Sequence, residues 1–121
     1  MVVDLESFQG IAVDAKGIAT VGAGVRLGNL ALGIFNQAKR ALPHGLCPGV
    51  GIGGHFTHGG YGYSARAWGL GLDSIVGLDV VLANGSFVHA STTAYPDIYY
   101  VSGPCNIYFF ATLYPFLRLQ L

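Results

Sequence analysis

Charged side chains are scarce in this chain of 121 residues: they make up 10% of it, whereas hydrophobic residues make up 52%. An average soluble domain carries about 25% charged residues. The six basic and six acidic residues give a net charge of zero and are scattered, so no basic face is present to bind nucleic acid. With so few charges on a small domain, we expect further chain, a partner subunit or a cofactor to cover part of its apolar surface.

Cysteine is also rare, and long uninterrupted hydrophobic runs are missing. The two cysteines, Cys47 and Cys105, are too few for a disulfide scaffold, and one bridge or two separate thiols fit the sequence equally well. Residues 98–117 carry no charge, but Ser, Gly, Pro and Asn interrupt them, so we do not expect a membrane segment. Residues 1–10 lack the basic and apolar regions of a signal peptide, and the localisation stays unknown.

Two hairpins are predicted from the apolar pattern. The first joins residues 11–13 to residues 18–21 through a turn that ends at Gly17, which can adopt a positive φ. The second joins residues 75–83 to residues 87–90 through an Asn-Gly pair, the strongest short hairpin signal.

One main helix is predicted between the hairpins. Its apolar residues follow the spacing of an amphipathic helix, and they are Leu27, Leu30, Ala31, Ile34, Phe35 and Ala38. Pro43 is expected to end this helix, and Pro96 predicts the first turn of another over residues 95–100. Residues 101–121 show no consistent period. The order of these elements predicts an α+β fold rather than alternating strands and helices.

Glycine is abundant in residues 43–73, which we call the glycine-rich stretch. Ten of these residues are glycine, and three histidines, one cysteine and two tyrosines lie among them. Each glycine loses extra backbone entropy when it becomes ordered, so this density is costly in a helix or a sheet. The compensating use is close approach of the main chain to a ligand. The stretch therefore predicts a cofactor site rather than a packing element.

Three other interpretations of the glycine-rich stretch differ in strength. Residues 49–54 match the spacing of a dinucleotide fingerprint, but no buried strand precedes them and no long helix is expected after them. His44, Cys47, His55 and His58 are acceptable zinc-ligand types in two short-spaced pairs, but the gap of seven residues between the pairs is short for a zinc finger. A small metal-binding module stays open as an alternative. Neither a Gly-x-Ser-x-Gly motif nor a carboxylate pair with acid–base spacing occurs, and the sequence assigns no catalytic residue.

The motifs of the glycine-rich stretch resemble those of berberine-bridge-enzyme-like flavoprotein oxidases in the vanillyl-alcohol oxidase superfamily. Among these, the fungal oligosaccharide oxidases look most similar. The resemblance rests on the runs HGLCPGVGIGGH from His44, GGYG from Gly59, GL from Gly69, DS from Asp73 and VVLANG from Val80. It extends from about residue 2 to about residue 99 and is most specific over residues 47–62.

This resemblance implies a fold, a cofactor and a set of contacts. The implied fold is the second α+β subdomain of a PCMH-type FAD-binding domain, truncated at both ends. Residues 1–100 would form this partial domain, and residues 101–121 a divergent tail of uncertain structure. The implied cofactor is FAD, bonded covalently through Cys47 to carbon six of its ring. The other implied cofactor-binding residues are Val50, Gly51, Gly53, Gly54, His55 (on the ribityl side), Thr57, Gly60 and Tyr61.

The resemblance also implies an activity. It is the oxidation of an alcohol or a sugar hemiacetal, with hydride transfer to the flavin and reoxidation by dioxygen. The family's upstream loop with a histidine for a second flavin bond, and its substrate domain, have no counterpart in this sequence. We therefore expect little turnover from this chain alone, and an inactive flavin-binding remnant or a truncated gene product stays open as an alternative.

Overall fold

The strands of this protein form one antiparallel sheet in the computed structural model, which describes residues 3–102 and 113–121. The strands are β1 (Ile11–Val13), β2 (Ile18–Gly22), β3 (Ile75–Val81), β4 (Phe87–Ala90) and β5 (Leu113–Gln120). Their order across the sheet is β1-β2-β5-β3-β4. The sheet is thus two hairpins joined by the last strand.

Both predicted hairpins are confirmed, and they close in the same way. The N–H of Gly17 donates to the carbonyl of Asp14 at 3.1 Å, and the N–H of Gly85 donates to that of Leu82 at 2.9 Å. Both glycines have a positive φ, of 86° and 80°. This is the three-residue hairpin loop, in which a turn is followed by a residue in the left-handed region. In each loop that residue is glycine, which has no Cβ to resist the conformation.

The central strand β5 lies in the part of the chain where the sequence showed no period. Leu117 and Leu119 are fully buried, while their neighbours are not, so residues 116–120 do alternate. Pro115 obscures this signal, because proline argues against a central strand. It lies where the pairing with β3 shifts, between the pairs Asp79–Phe116 and Val81–Leu113. An irregularity of this kind is where a sheet tolerates proline.

The expected tail is therefore partly a strand. Residues 103–112, which include Cys105, lie outside the described residues. The domain boundary at residue 100 stays a prediction.

A buried carboxylate on β3 contacts side chains of both neighbouring strands, β4 and β5, on one face of the sheet. Asp79 on β3 is 7% exposed. Its Oδ1 lies 2.7 Å from Nδ1 of His89 on β4 and 3.7 Å from a guanidinium nitrogen of Arg118 on β5. A buried charge is costly unless it is paired. Partners on both neighbouring strands supply that pairing and favour this register.

The helices are α1 (Leu27–Ala38), α2 (Ile52–Thr57), α3 (Ala65–Trp68) and α4 (Pro96–Ser102), with a 3₁₀ turn at Gly71–Ser74. Helices α1 and α2 pack on the other face of the sheet. Residues of α1 and α2 join those of the sheet in one core, which includes Leu30, Ile34, Phe56, Leu78 and Leu117. Within the described ranges, no helix has the length and apolar character needed to cross a membrane.

Helix α1 confirms the predicted amphipathic face, with two differences. Leu27, Leu30 and Ile34 are buried as expected, but Phe35 is 54% exposed and lies under the ammonium group of Lys39. The helix also ends at Ala38, before Pro43, because Lys39 adopts a left-handed conformation with φ 55°. Its N–H then donates to the carbonyl of Phe35, which satisfies one of the last helical acceptors.

We predict that Leu117→Ala lowers the free energy of unfolding by about 2–5 kcal/mol, since it removes a fully buried side chain from the central strand. Urea denaturation measures this change. Gln120→Ala on the same strand is the matched control, because Gln120 is exposed. Equal effects of the two substitutions would contradict the central position of β5.

Candidate functional site

One group of glycines in the glycine-rich stretch packs against protein. A Cβ on Gly45 would lie 2.7 Å from the ring of His55, and one on Gly60 would lie 2.9 Å from the Cα of Gly71. A Cβ on Gly62 would overlap the carbonyl oxygen of His44. These glycines allow chain segments to lie against each other. The expectation that the glycines serve a ligand therefore does not describe this group.

A second group of glycines has open space on the side where a Cβ would point. Nothing lies within 4 Å of that position on Gly49 or Gly54. On Gly51 the nearest atom is a guanidinium nitrogen of Arg26 at 3.7 Å, and on Gly53 it is the carbonyl oxygen of Ala23 at 3.4 Å. All four have φ values outside the positive region. Neither packing nor backbone conformation within the described chain requires glycine here.

Three of these open glycines, Gly51, Gly53 and Gly54, border a cavity of about 280 Å³. The lining residues are Leu5, Ala23, Gly51, Gly53, Gly54, Thr57, Leu78 and Leu117. A second recess of about 350 Å³ shares Leu5, Ala23 and Gly51 with it and adds the charged residues Asp4, Glu6 and Arg26. The first cavity is mainly apolar and the second recess is polar, so together they suit a ligand that has an apolar part and a polar part.

The apolar lining of this cavity was missed by sequence reasoning. Leu5, Ala23, Leu78 and Leu117 lie on segments far apart in the chain. The pairing of β5 with β3 places Leu117 opposite Leu78, and Leu5 lies against Gly24, just after β2. No local pattern marks them as site residues. These residues could have been found only from the order of the strands in the sheet.

The open glycines are held by backbone pairing to the start of α1. The N–H of Leu27 donates to the carbonyl of Val50 at 2.9 Å, and that of Ile52 donates to the carbonyl of Val25 at 3.0 Å. The guanidinium of Arg26 donates to the carbonyl of Gly49 at 3.1 Å. The glycines therefore form a fixed surface. Gly53 and Gly54 themselves lie in α2, although the sequence did not favour a helix there.

Among the sequence-predicted residues, Gly51, Gly53, Gly54 and Thr57 meet at this cavity. The Thr57 hydroxyl donates to the carbonyl of Gly53 at 2.8 Å and lies 3.2 Å from that of Gly54, so its side chain is bonded to the first turn of α2.

The remaining predicted residues do not line the cavity. Cys47 is an exposed free thiol, and Val50 and Tyr61 are 39% and 71% exposed. Gly60 is buried against Gly71. Flavin contacts of these residues, and of His55, stay predictions.

The His55 imidazole is part of the local packing. Its Nε2 accepts a hydrogen bond from the N–H of Gly45 at 2.8 Å. Burial lowers the pKa of His55 from its ordinary value of 6.5, and the nearby charge of His44 lowers it further. Both effects favour the neutral ring, which is the form that can accept this bond.

The four proposed metal ligands are not assembled. Nε2 of His55 is used by Gly45, and Nδ1 of His58 lies 2.8 Å from the carbonyl oxygen of Gly54. Across residues 3–102 and 113–121, no group of three or more His, Cys, Asp or Glu side chains is placed to hold a metal ion. The geometry therefore gives no support to the metal-binding alternative.

Comparison with known proteins gives consistent matches. Residues 1–91 match a family described as FAD binding domain. The xylooligosaccharide oxidase of Thermothelomyces thermophilus is 48% identical over 101 residues, which are 83% of this chain and 20% of that protein. Berberine bridge enzyme-like 12 of Arabidopsis thaliana is 38% identical over 104 residues, covering 83% of this chain and 19% of that protein. This chain thus spans about one fifth of the length of the curated relatives it matches.

Solved structures agree with these matches. A chitooligosaccharide oxidase superposes with a TM-score of 0.88 at 41% identity, over 96% of this chain and 24% of that one. The glucooligosaccharide oxidase of Acremonium strictum superposes with a TM-score of 0.89 at 37% identity, over 95% of this chain and 24% of that one. The FAD of the latter is described as 6-S-cysteinyl, 8α-N1-histidyl. These findings confirm the resemblance and the α+β FAD-binding fold that the sequence predicted.

We predict a pH dependence of stability that His55 causes. Its pKa is lower in the folded chain than the 6.5 of the unfolded chain, so below pH 6.5 the unfolded state binds the proton first. The free energy of unfolding should be independent of this group above pH 6.5, fall as the pH drops below that value, and level off below the folded pKa. Urea denaturation across this range measures it, with His55→Gln as the control that removes the titration. An identical pH dependence in both proteins would contradict the prediction.

Proposed function

Because this chain belongs to the family of FAD-binding domains found in oligosaccharide oxidases and berberine bridge enzyme-like proteins, we propose that it forms part of the FAD site of a carbohydrate oxidase. The observation that carries this proposal is the open main chain at Gly51, Gly53 and Gly54 beside the 280 Å³ cavity. Glycine there has no role in packing within the described chain. A ligand that lies against the backbone supplies the missing reason.

The residues of the cavity fit such a cofactor. Backbone N–H groups without a neighbouring Cβ can approach the oxygen atoms of a diphosphate or a ribityl chain. The lining also includes the apolar residues Leu5, Leu78 and Leu117, which suits the apolar part of such a ligand. The fixed pairing of residues 49–52 with residues 25–27 keeps the glycine backbone preorganised, so a ligand need not order it on binding.

We assign the covalent link of the flavin to Cys47. Its thiol is exposed, as a group that bonds to a cofactor must be. The description of the FAD in the glucooligosaccharide oxidase as 6-S-cysteinyl supports a sulfur link of the same kind. Forming this bond removes one hydrogen from the thiol and one from the ring carbon. The two electrons and two protons would pass to dioxygen and give hydrogen peroxide.

The proposed substrate class is a saccharide, because the relatives are named for oligosaccharides. The bound flavin would supply hydride acceptance from the carbon that carries the hydroxyl, and reoxidation by dioxygen. The residues of this chain would hold and orient the cofactor. None of the residues that line the cavity is titratable, so the base that takes the hydroxyl proton would lie outside this lining.

A pair of glycine variants tests the main observation. Gly54→Ala should keep the free energy of unfolding or raise it by as much as about 1 kcal/mol, because Gly54 lies in α2 with open space beside it. It should weaken FAD binding by about tenfold or more, as expected for a lost contact worth about 1.4 kcal/mol. Gly62→Ala should instead lower the free energy of unfolding, because its Cβ would overlap His44. Flavin fluorescence titration and urea denaturation measure both, and unchanged FAD affinity of the Gly54 variant would overturn the proposal.

Cysteine variants test the covalent link. The chain is incubated with FAD in air and precipitated with acid, and the flavin in the pellet is measured by absorbance and by protein mass. We expect flavin to remain with the wild type and with the control Cys105→Ser, and to be released from Cys47→Ser. Retention by Cys47→Ser equal to that of the wild type would contradict the assignment, and so would a wild type that retains none.

A further inference from the structure

The loop that carries Cys47 is linked to helix α2 by a hydrogen bond between its backbone and a side chain of the helix. The N–H of Gly45 donates to Nε2 of His55 at 2.8 Å, although the two residues are ten positions apart. Gly45 is buried, and its Cα lies so close to the imidazole that a Cβ would meet the ring. The bond is therefore part of a close contact between two segments.

The same loop also packs against residues 61–62. A Cβ on Gly45 would lie 3.3 Å from the carbonyl oxygen of Tyr61, and one on Gly62 would overlap that of His44. Residues 44–45 thus lie against both the His55 ring and residues 61–62. Cys47 follows two residues later, and its carbonyl accepts from the N–H of Val50 at 3.2 Å. The sulfur is carried on a short segment with a fixed point on each side.

This hydrogen bond determines the protonation pattern of the imidazole. Since Nε2 accepts, the proton of the neutral ring is on Nδ1. Within the described ranges, Nδ1 has no hydrogen-bond partner. The ring can then hold the loop with one nitrogen while the other remains a donor.

We propose that His55 is a positioning residue for Cys47: its neutral imidazole holds Gly45 and so fixes the loop that presents the sulfur. The inference rests on the proposed function only for the role of the sulfur. The hydrogen bond and its effect on the thiol can be tested without flavin. A failure here is therefore distinguishable from a failure of the FAD site.

The surroundings of His55 make its hydrogen bond with Gly45 depend on pH. Burial is the larger cause that lowers its pKa, and the charge of His44 adds to it. The Phe56 ring lies nearly perpendicular to the imidazole, with 5.7 Å between the ring centroids. In the described part of the chain, His44 is the titratable group whose charge shifts the pKa of His55. Protonation of Nε2 would remove the acceptor and release Gly45.

Two substitutions separate the hydrogen bond from the volume of the side chain. His55→Gln keeps an acceptor at about the position of Nε2, whereas the shorter side chain of His55→Asn cannot reach it. The first measurement is the protection of the Gly45 amide against hydrogen exchange, by NMR at about pH 8, where the imidazole is neutral. We expect the Asn variant to lose protection by about fivefold, the factor that corresponds to about 1 kcal/mol for one hydrogen bond. The Gln variant should retain it.

The second measurement is the rate of Cys47 alkylation by iodoacetamide, with Cys105 counted separately by peptide mass spectrometry. We expect the Asn variant to react at a different rate from the wild type and the Gln variant to restore the wild-type rate. His58→Gln, a histidine on the cap of the same helix, should change neither quantity. A third measurement needs no variant: the protection of the Gly45 amide against hydrogen exchange in the wild type, from about pH 8 to about pH 5. This protection should fall as the pH drops below the pKa of His55.

Three results would overturn the proposal. One is an Asn variant that is folded by circular dichroism and matches the wild type in both measurements. Another is Gly45 protection that follows the acceptor while the alkylation rate of Cys47 does not. If the Asn variant fails to fold, the wild-type series decides, and Gly45 protection that is independent of pH would refute the role of His55.

Discussion

The pairing of β5 with β2 and β3 is the interaction on which the rest of this structure depends. Each hairpin alone would be marginal in water, because two strands cannot bury an apolar face. β5 joins them into one sheet and places Leu117 beside Leu78. Helices α1 and α2 can then cover this face. The same pairing forms the apolar wall of the cavity, so the stability of the sheet and the shape of the site have a common origin.

The glycines of the glycine-rich stretch have two different physical roles. Gly45, Gly60 and Gly62 allow backbone segments to pack closely, and a side chain on any of them would displace the protein itself. Gly49 and Gly54 face open space and leave the main chain accessible. Close packing at the first group supports the accessible main chain at the second, because the tightly packed segments fix the loop that ends at the open glycines. The proposed hold of His55 on Gly45 belongs to this scaffold and not to the open surface.

The sequence predicted much of the site but could not divide its residues by role. The motif around Cys47 indicated FAD, and the family match confirms that cofactor. Glycine density alone gave no distinction between Gly62, which packs against His44, and Gly54, which is open. That distinction depends on which segment lies opposite each glycine. Likewise, the four possible zinc ligands are of suitable types, but the fold directs His55 and His58 to backbone partners.

Local sequence determined the two hairpins, the amphipathic helix and the cofactor class, because each depends on residues that are neighbours in the chain. The turn glycines Gly17 and Gly85 and the periodicity of α1 are signals of this kind. Only the tertiary structure decided that residues 113–120 form the central strand and that Leu5, Ala23, Leu78 and Leu117 line one cavity. Those features arise from pairing between distant segments, which no local pattern encodes.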